Sequence, residues 1–121
     1  MVNFSRTDRI AQQIQREIAE LVRLQINDPR VRLVTITGAE VARDYSQAKV
    51  FFTRLDGRHE EAQKGLEHAS GFLRSQLAHS LKLRVMPQLH FVFDASVERG
   101  SRLSQLIDQA VANDHRQDNK K

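Results

Sequence analysis

From Arg6 onward, apolar side chains return every three or four residues: Ile10, Ile14, Ile18, Leu21 and Val22. At about 100° per residue they share an arc about 120° wide, the stripe of a helix laid on a core. Ser5 is placed to cap that helix, Asp8 three residues on completes a weak capping box, and Asn27-Asp28-Pro29 stops it near Ile26. The period then changes. Residues 31–41 are rich in Val, Ile and Thr, and residues 47–55 set Ala48, Val50 and Phe52 against Lys49, Phe51 and Thr53, so two strands are predicted. The polar connector between them, residues 42–46, has the length that joins antiparallel neighbours. Gly38 interrupts the first strand, and the inward parity passes from Val34 and Ile36 to Ala39 and Val41, as a β-bulge would cause.

After Asp56 and Gly57 the helical period returns through Ala62, Leu66, Ala69, Leu73, Leu77 and Leu81. Gly71 falls within that run, where it costs a helix roughly 1 kcal/mol relative to Ala, so the pattern predicts helix, bend, helix. Pro87 closes the segment, and Leu89, Phe91 and Phe93 alternate with His90, Val92 and Asp94 in a third strand. Residues 96–112 offer Leu103, Leu106, Ile107 and Ala110 as the stripe of a shorter amphipathic helix. Residues 113–121 contain no apolar side chain and are expected to be a disordered polar tail. The expected organisation is one α+β domain over residues 1–95, with the C-terminal helix and the tail after it.

Composition narrows the chemistry. The chain has 121 residues, 19 Lys and Arg against 15 Asp and Glu, and a formal charge of +4, a balance suited to polyanions. All of that excess lies in the first 87 residues, and no Asp or Glu occurs between His68 and Phe93. Arg74, Lys82 and Arg84 fall in this acid-free stretch and set up a local positive field. Arg9, Arg16 and Arg23 recur every seven residues opposite the apolar stripe, a nearly straight row down the first helix. A solvated face with Glu20 pairing to Arg16 or Arg23 reads equally well from that row alone.

Zero Cys removes disulfides, thiolate zinc sites and Cys nucleophiles, and favours a reducing, cytoplasmic setting. No phosphate-binding glycine loop, HExxH or GxSxG motif occurs, so no metal, cofactor or small-molecule substrate is expected and the chain does not read as an enzyme. No apolar run exceeds three residues, so no membrane partner is expected. Phe51, Phe52, Phe91 and Phe93 could stack on bases, but their alternation assigns most of them to the core.

The element order fits a type II KH-like domain, α-β-β-α-kink-α-β, with a three-stranded sheet packed by helices on one face. The RNP1 signature of an RRM and the GXXG loop of a KH domain are both absent. At the expected bend the sequence reads Ala69-Ser70-Gly71. With Arg6, Asp28-Pro29-Arg30, Asp44, Ala48-Lys49-Val50, Phe72-Leu73-Arg74 and Arg84-Val85-Met86-Pro87, the chain resembles the bacterial ribosome-binding factor A family over residues 4–100. In that family an Ala-x-Gly kink stands where the KH loop would be.

The resemblance implies a non-enzymatic assembly factor for the free 30S small ribosomal subunit. It would assist late maturation of 16S rRNA near the 5′ end, matter most in the cold, and act as a cytoplasmic monomer. Without GXXG backbone donors, phosphate contact should fall on Arg74, Lys82, Arg84, Arg9, Arg16 and Arg23, while Ala69, Ser70 and Gly71 form the structural kink. The alternative is a non-catalytic module that docks a ribosomal protein or another assembly factor.

Overall fold

The computed structural model describes residues 5–96; the expected C-terminal helix and tail lie outside them, apart from Ser96. Helix α1, Arg6–Gln25, starts where the sequence says. The Ser5 hydroxyl accepts from the Asp8 N–H at 3.1 Å and the Asp8 carboxylate accepts from the Ser5 N–H at 3.1 Å, a complete capping box. Its buried face is Ile10, Ala11, Ile14, Ile18 and Val22, with Leu21 at the margin.

The first strand does not begin at Val31. Pro29–Val31 forms one 3-10 turn, capped by the Asp28 side chain, which accepts from the Arg30 N–H at 2.9 Å. Asp28 also holds the Arg30 guanidinium, with Nη2 2.7 Å from Oδ2. These Arg30 hydrogen bonds lower the Asp28 pKa from 3.8 to about 2. A carboxylate depressed in the folded state adds stability that is present above pH 3.8 and lost as pH falls through about 2. The wild-type thermal midpoint should therefore fall more steeply below pH 4 than that of Asp28→Asn, the two curves converging near pH 2 in a calorimetric series. Parallel curves over that interval would contradict the assignment.

Strand β1, Val34–Val41, pairs antiparallel with β2, Gln47–Arg54, and the register slips between Ile36 and Gly38, the bulge read from the parity change. The turn between them places Tyr45 in the left-handed region at φ 64°. Helix α2, His59–Leu81, crosses over so that β3, Gln88–Phe93, pairs parallel to β2, giving the order β1-β2-β3.

Both helices cover one face of the sheet. Ile14, Ile18, Val50, Phe52, Leu66, Leu73 and Leu77 have no exposed surface, each worth roughly 1.5–3 kcal/mol of burial. Phe52 and Phe91 are core residues as expected, while Phe51 and Phe93 are half-buried. Phe93 meets Phe52 edge-on and stacks on His59 at the start of α2.

The expected bend does not break the helix: α2 is α-helical without interruption, with Ala69, Ser70 and Gly71 inside it. A Cβ on Gly71 would meet open space. The close approach lies six residues earlier, at Gly65, where a Cβ would stand 2.8 Å from Val31 Cγ1 and 3.1 Å from Arg30 Cβ. The 3-10 turn rests there against α2, and Arg54 ties the same turn to the sheet. Its Nη1 donates to the Arg30 carbonyl at 3.0 Å, and its Nε lies 2.8 Å from Asp56 Oδ1, an ion pair by distance that is not aligned as a hydrogen bond.

Candidate nucleic-acid interface

Arg9, Arg16 and Arg23 are exposed on the outer side of α1, as the seven-residue spacing requires. The helix rises about 1.5 Å per residue, so with Arg6 one turn before Arg9 the row covers roughly 25 Å. Glu20 takes Arg23, with Nη2 2.7 and 2.8 Å from its two carboxylate oxygens. Both partners are exposed, and such a pair is worth at most about 1 kcal/mol, little enough to yield to a phosphate. Of the six arginines and lysines named from sequence, Arg23 alone has a carboxylate within ion-pair distance among the described residues.

The ends of the row recruit cations from other elements. Arg32, just after the 3-10 turn, lines with Arg16 and Arg23 the groove between α1 and the outer strand β1. At the other end Arg6 and Arg84 line one pocket with Tyr45. The two basic groups therefore meet where the α2–β3 loop passes the start of α1. Arg6 is absent from the row read from sequence, although it stands only one turn before Arg9. Arg32 carried no local signal, because its position depends on the fold-back of the 3-10 turn.

Arg74 has a task that sequence did not reveal. Its Nη2 donates to the Met86 carbonyl at 2.7 Å and its Nε to the Pro87 carbonyl at 3.1 Å. Two of its five N–H donors thus hold the α2–β3 loop, the segment that carries Arg84. Lys82 ends α2 in the left-handed conformation at φ 53°, with its side chain exposed. Helix α2 therefore terminates at Leu81, six residues before Pro87, which instead sits fully buried just ahead of β3. Ala69 and Ser70 are half-buried and Gly71 is exposed.

Comparison with known proteins agrees with this architecture. A family model described as ribosome-binding factor A matches residues 6–107. The chain is 60% identical over 114 residues to a ribosome-binding factor A of Nitrosospira multiformis, covering 93% of this chain and 90% of that protein. It is 60% identical over 111 residues to one of Nitrosomonas europaea, covering 90% and 95%. Among solved structures it is similar to ribosome-binding factor A of Thermus thermophilus, with a TM-score of 0.67 and 26% identity over 73% of this chain and 96% of that one. A homology model of the Thermus protein, as fitted into a cryo-EM map of its complex with the 30S subunit, matches with a TM-score of 0.63 and 26% identity, over 74% and 96%.

Proposed function

We propose, since the chain belongs to the ribosome-binding factor A family, that it binds the free 30S ribosomal subunit and does so by gripping 16S rRNA along its phosphates. The observation that carries this reading is the run of cations from Arg32 through Arg23, Arg16, Arg9 and Arg6 to Arg84, of which only Arg23 is paired with a carboxylate among the described residues. Such a row supplies charge and hydrogen-bond donors to a sugar-phosphate contour without reading bases. Lys82 and the remaining donors of Arg74 extend it along the loop. The protein works as a monomer in the cytoplasm, without catalysis, cofactor or metal. It assists late maturation of 16S rRNA near its 5′ end, a role most needed in the cold, when misfolded RNA escapes slowly.

Sedimentation of the tagged protein through a ribosome gradient tests the reading. It should travel with free small subunits and be absent from complete ribosomes. About five phosphate contacts give a slope of roughly −4 in log affinity against log salt. Association with complete ribosomes alone, or a salt-independent affinity, would overturn it.

A further inference from the structure

Three segments far apart in sequence build the pocket at the head of α1. It is open, about 330 Å³, and lined by Arg6, Asp44, Tyr45, Leu83, Arg84 and Val85, which is at the small end for ligand sites and suits one flat ring system. Each segment is fixed. The Tyr45 N–H donates to the Ala42 carbonyl at 2.9 Å, closing the β1–β2 turn, and the Gln88 N–H donates to the Ser46 carbonyl at 3.0 Å, tying that turn to the α2–β3 loop. The Arg74 bonds to Met86 and Pro87 hold the same loop from the other side. The Arg6 guanidinium lies 5.8 Å from the Tyr45 ring centroid, within cation–π range.

The lining combines an aromatic ring, two guanidiniums, two aliphatic side chains and one carboxylate. Stacking surface and cations together fit a nucleotide of single-stranded RNA, and the carboxylate selects among bases. Asp44 accepts from the Ser46 N–H at 3.0 Å and the Ser46 hydroxyl at 2.7 Å, both on Oδ1, leaving Oδ2 without a hydrogen bond among the described residues. These bonds also hold its pKa below the ordinary carboxylate value. An ionised carboxylate only accepts. Guanine presents two adjacent donors, N1–H and the N2 amino group, on its Watson–Crick edge. Adenine and cytosine set an acceptor beside their single amino donor, and uracil flanks its one N–H with carbonyls.

We infer that this pocket takes one unpaired guanosine of the bound RNA, its base stacked at Tyr45, its edge on Asp44 and its phosphate on Arg84. The inference rests on the rRNA-binding reading and adds base selection to it.

The chain has one Tyr and no Trp, so ring-labelled tyrosine gives NMR resonances from this pocket alone. Fluorescent oligouridylate decamers carrying one central guanosine, inosine or adenosine are titrated against the full chain by anisotropy. The guanosine decamer should bind roughly tenfold more tightly than the adenosine one, as charge-assisted hydrogen bonds from its two donors to Asp44 Oδ2 provide, with inosine between them. The Tyr45 resonances should move upfield. Asp44→Asn, which keeps an oxygen for the Ser46 bonds, should bring guanosine and adenosine within about twofold while oligouridylate still binds.

Equal affinities, a guanosine preference that survives Asp44→Asn, or unmoved Tyr45 resonances would overturn the pocket assignment. Small subunits still bound with no base preference, or with no oligonucleotide bound, would remove the pocket and leave the rRNA reading standing. Failure to bind subunits and oligonucleotides alike would remove both.

Discussion

Replacing Arg9, Arg16 and Arg84 together by Gln should weaken small-subunit binding about 100-fold near physiological salt and leave the fold intact. All three side chains are exposed and none is ion-paired among the described residues, so each is available to a phosphate. A charge-assisted hydrogen bond, discounted for exposure, contributes about 1 kcal/mol, and three make roughly 3 kcal/mol, or two decades in affinity. The slope of log affinity against log salt should become shallower by about 2 to 3, one contact at a time.

Gln is a good helix former at the two α1 positions and Arg84 is an exposed loop residue, so stability should change by less than about 0.5 kcal/mol. Equilibrium binding at several salt concentrations, beside thermal melts, checks both halves. Affinity unchanged in the triple variant would place the interface elsewhere and favour docking through protein contacts. Arg74 is left out because its guanidinium serves the Met86 and Pro87 carbonyls. Its replacement would loosen the loop as well as remove a charge, and the two effects would not separate.

Two glycines of α2 should respond in opposite directions to the same substitution. Gly65→Ala should cost about 2 kcal/mol. The added methyl meets Val31 Cγ1 at 2.8 Å and Arg30 Cβ at 3.1 Å. Val31 is a stiff, buried side chain and Arg30 Cβ is tied to the 3-10 turn, so neither yields cheaply, and overpacking outweighs the gain in helix propensity of about 1 kcal/mol. Gly71→Ala meets nothing within 4 Å and should stabilise by up to about 1 kcal/mol. In thermal melts Gly65→Ala should lie roughly 5–10 °C below the wild type and Gly71→Ala a few degrees above it. A destabilised Gly71→Ala would restore the sequence-based expectation of a strained bend at that residue.

The residues that sequence placed correctly explain why they could be placed. The α1 cap, its stripe and its arginine row depend on residues three, four and seven apart, which the helix itself brings together. The hairpin and the bulge at Gly38 depend on alternation and on a five-residue connector, equally local. A glycine inside a helical pattern signals a special place without saying which one. Gly65 and Gly71 look alike along the chain, and only the 3-10 turn packed on α2 distinguishes them.

Sequence by itself determined the α+β class, the element order, the core faces and the exposure of the cations on α1, because each follows from periodicity within one segment. Tertiary structure alone decided that Arg6 and Arg84 share a pocket with Tyr45, that Arg32 extends the row, and that Arg74 spends its donors on a loop. Those placements join residues far apart in sequence. Their distances are set by how the crossover helix and the turns dock on the sheet, and no local pattern of side chains records that docking.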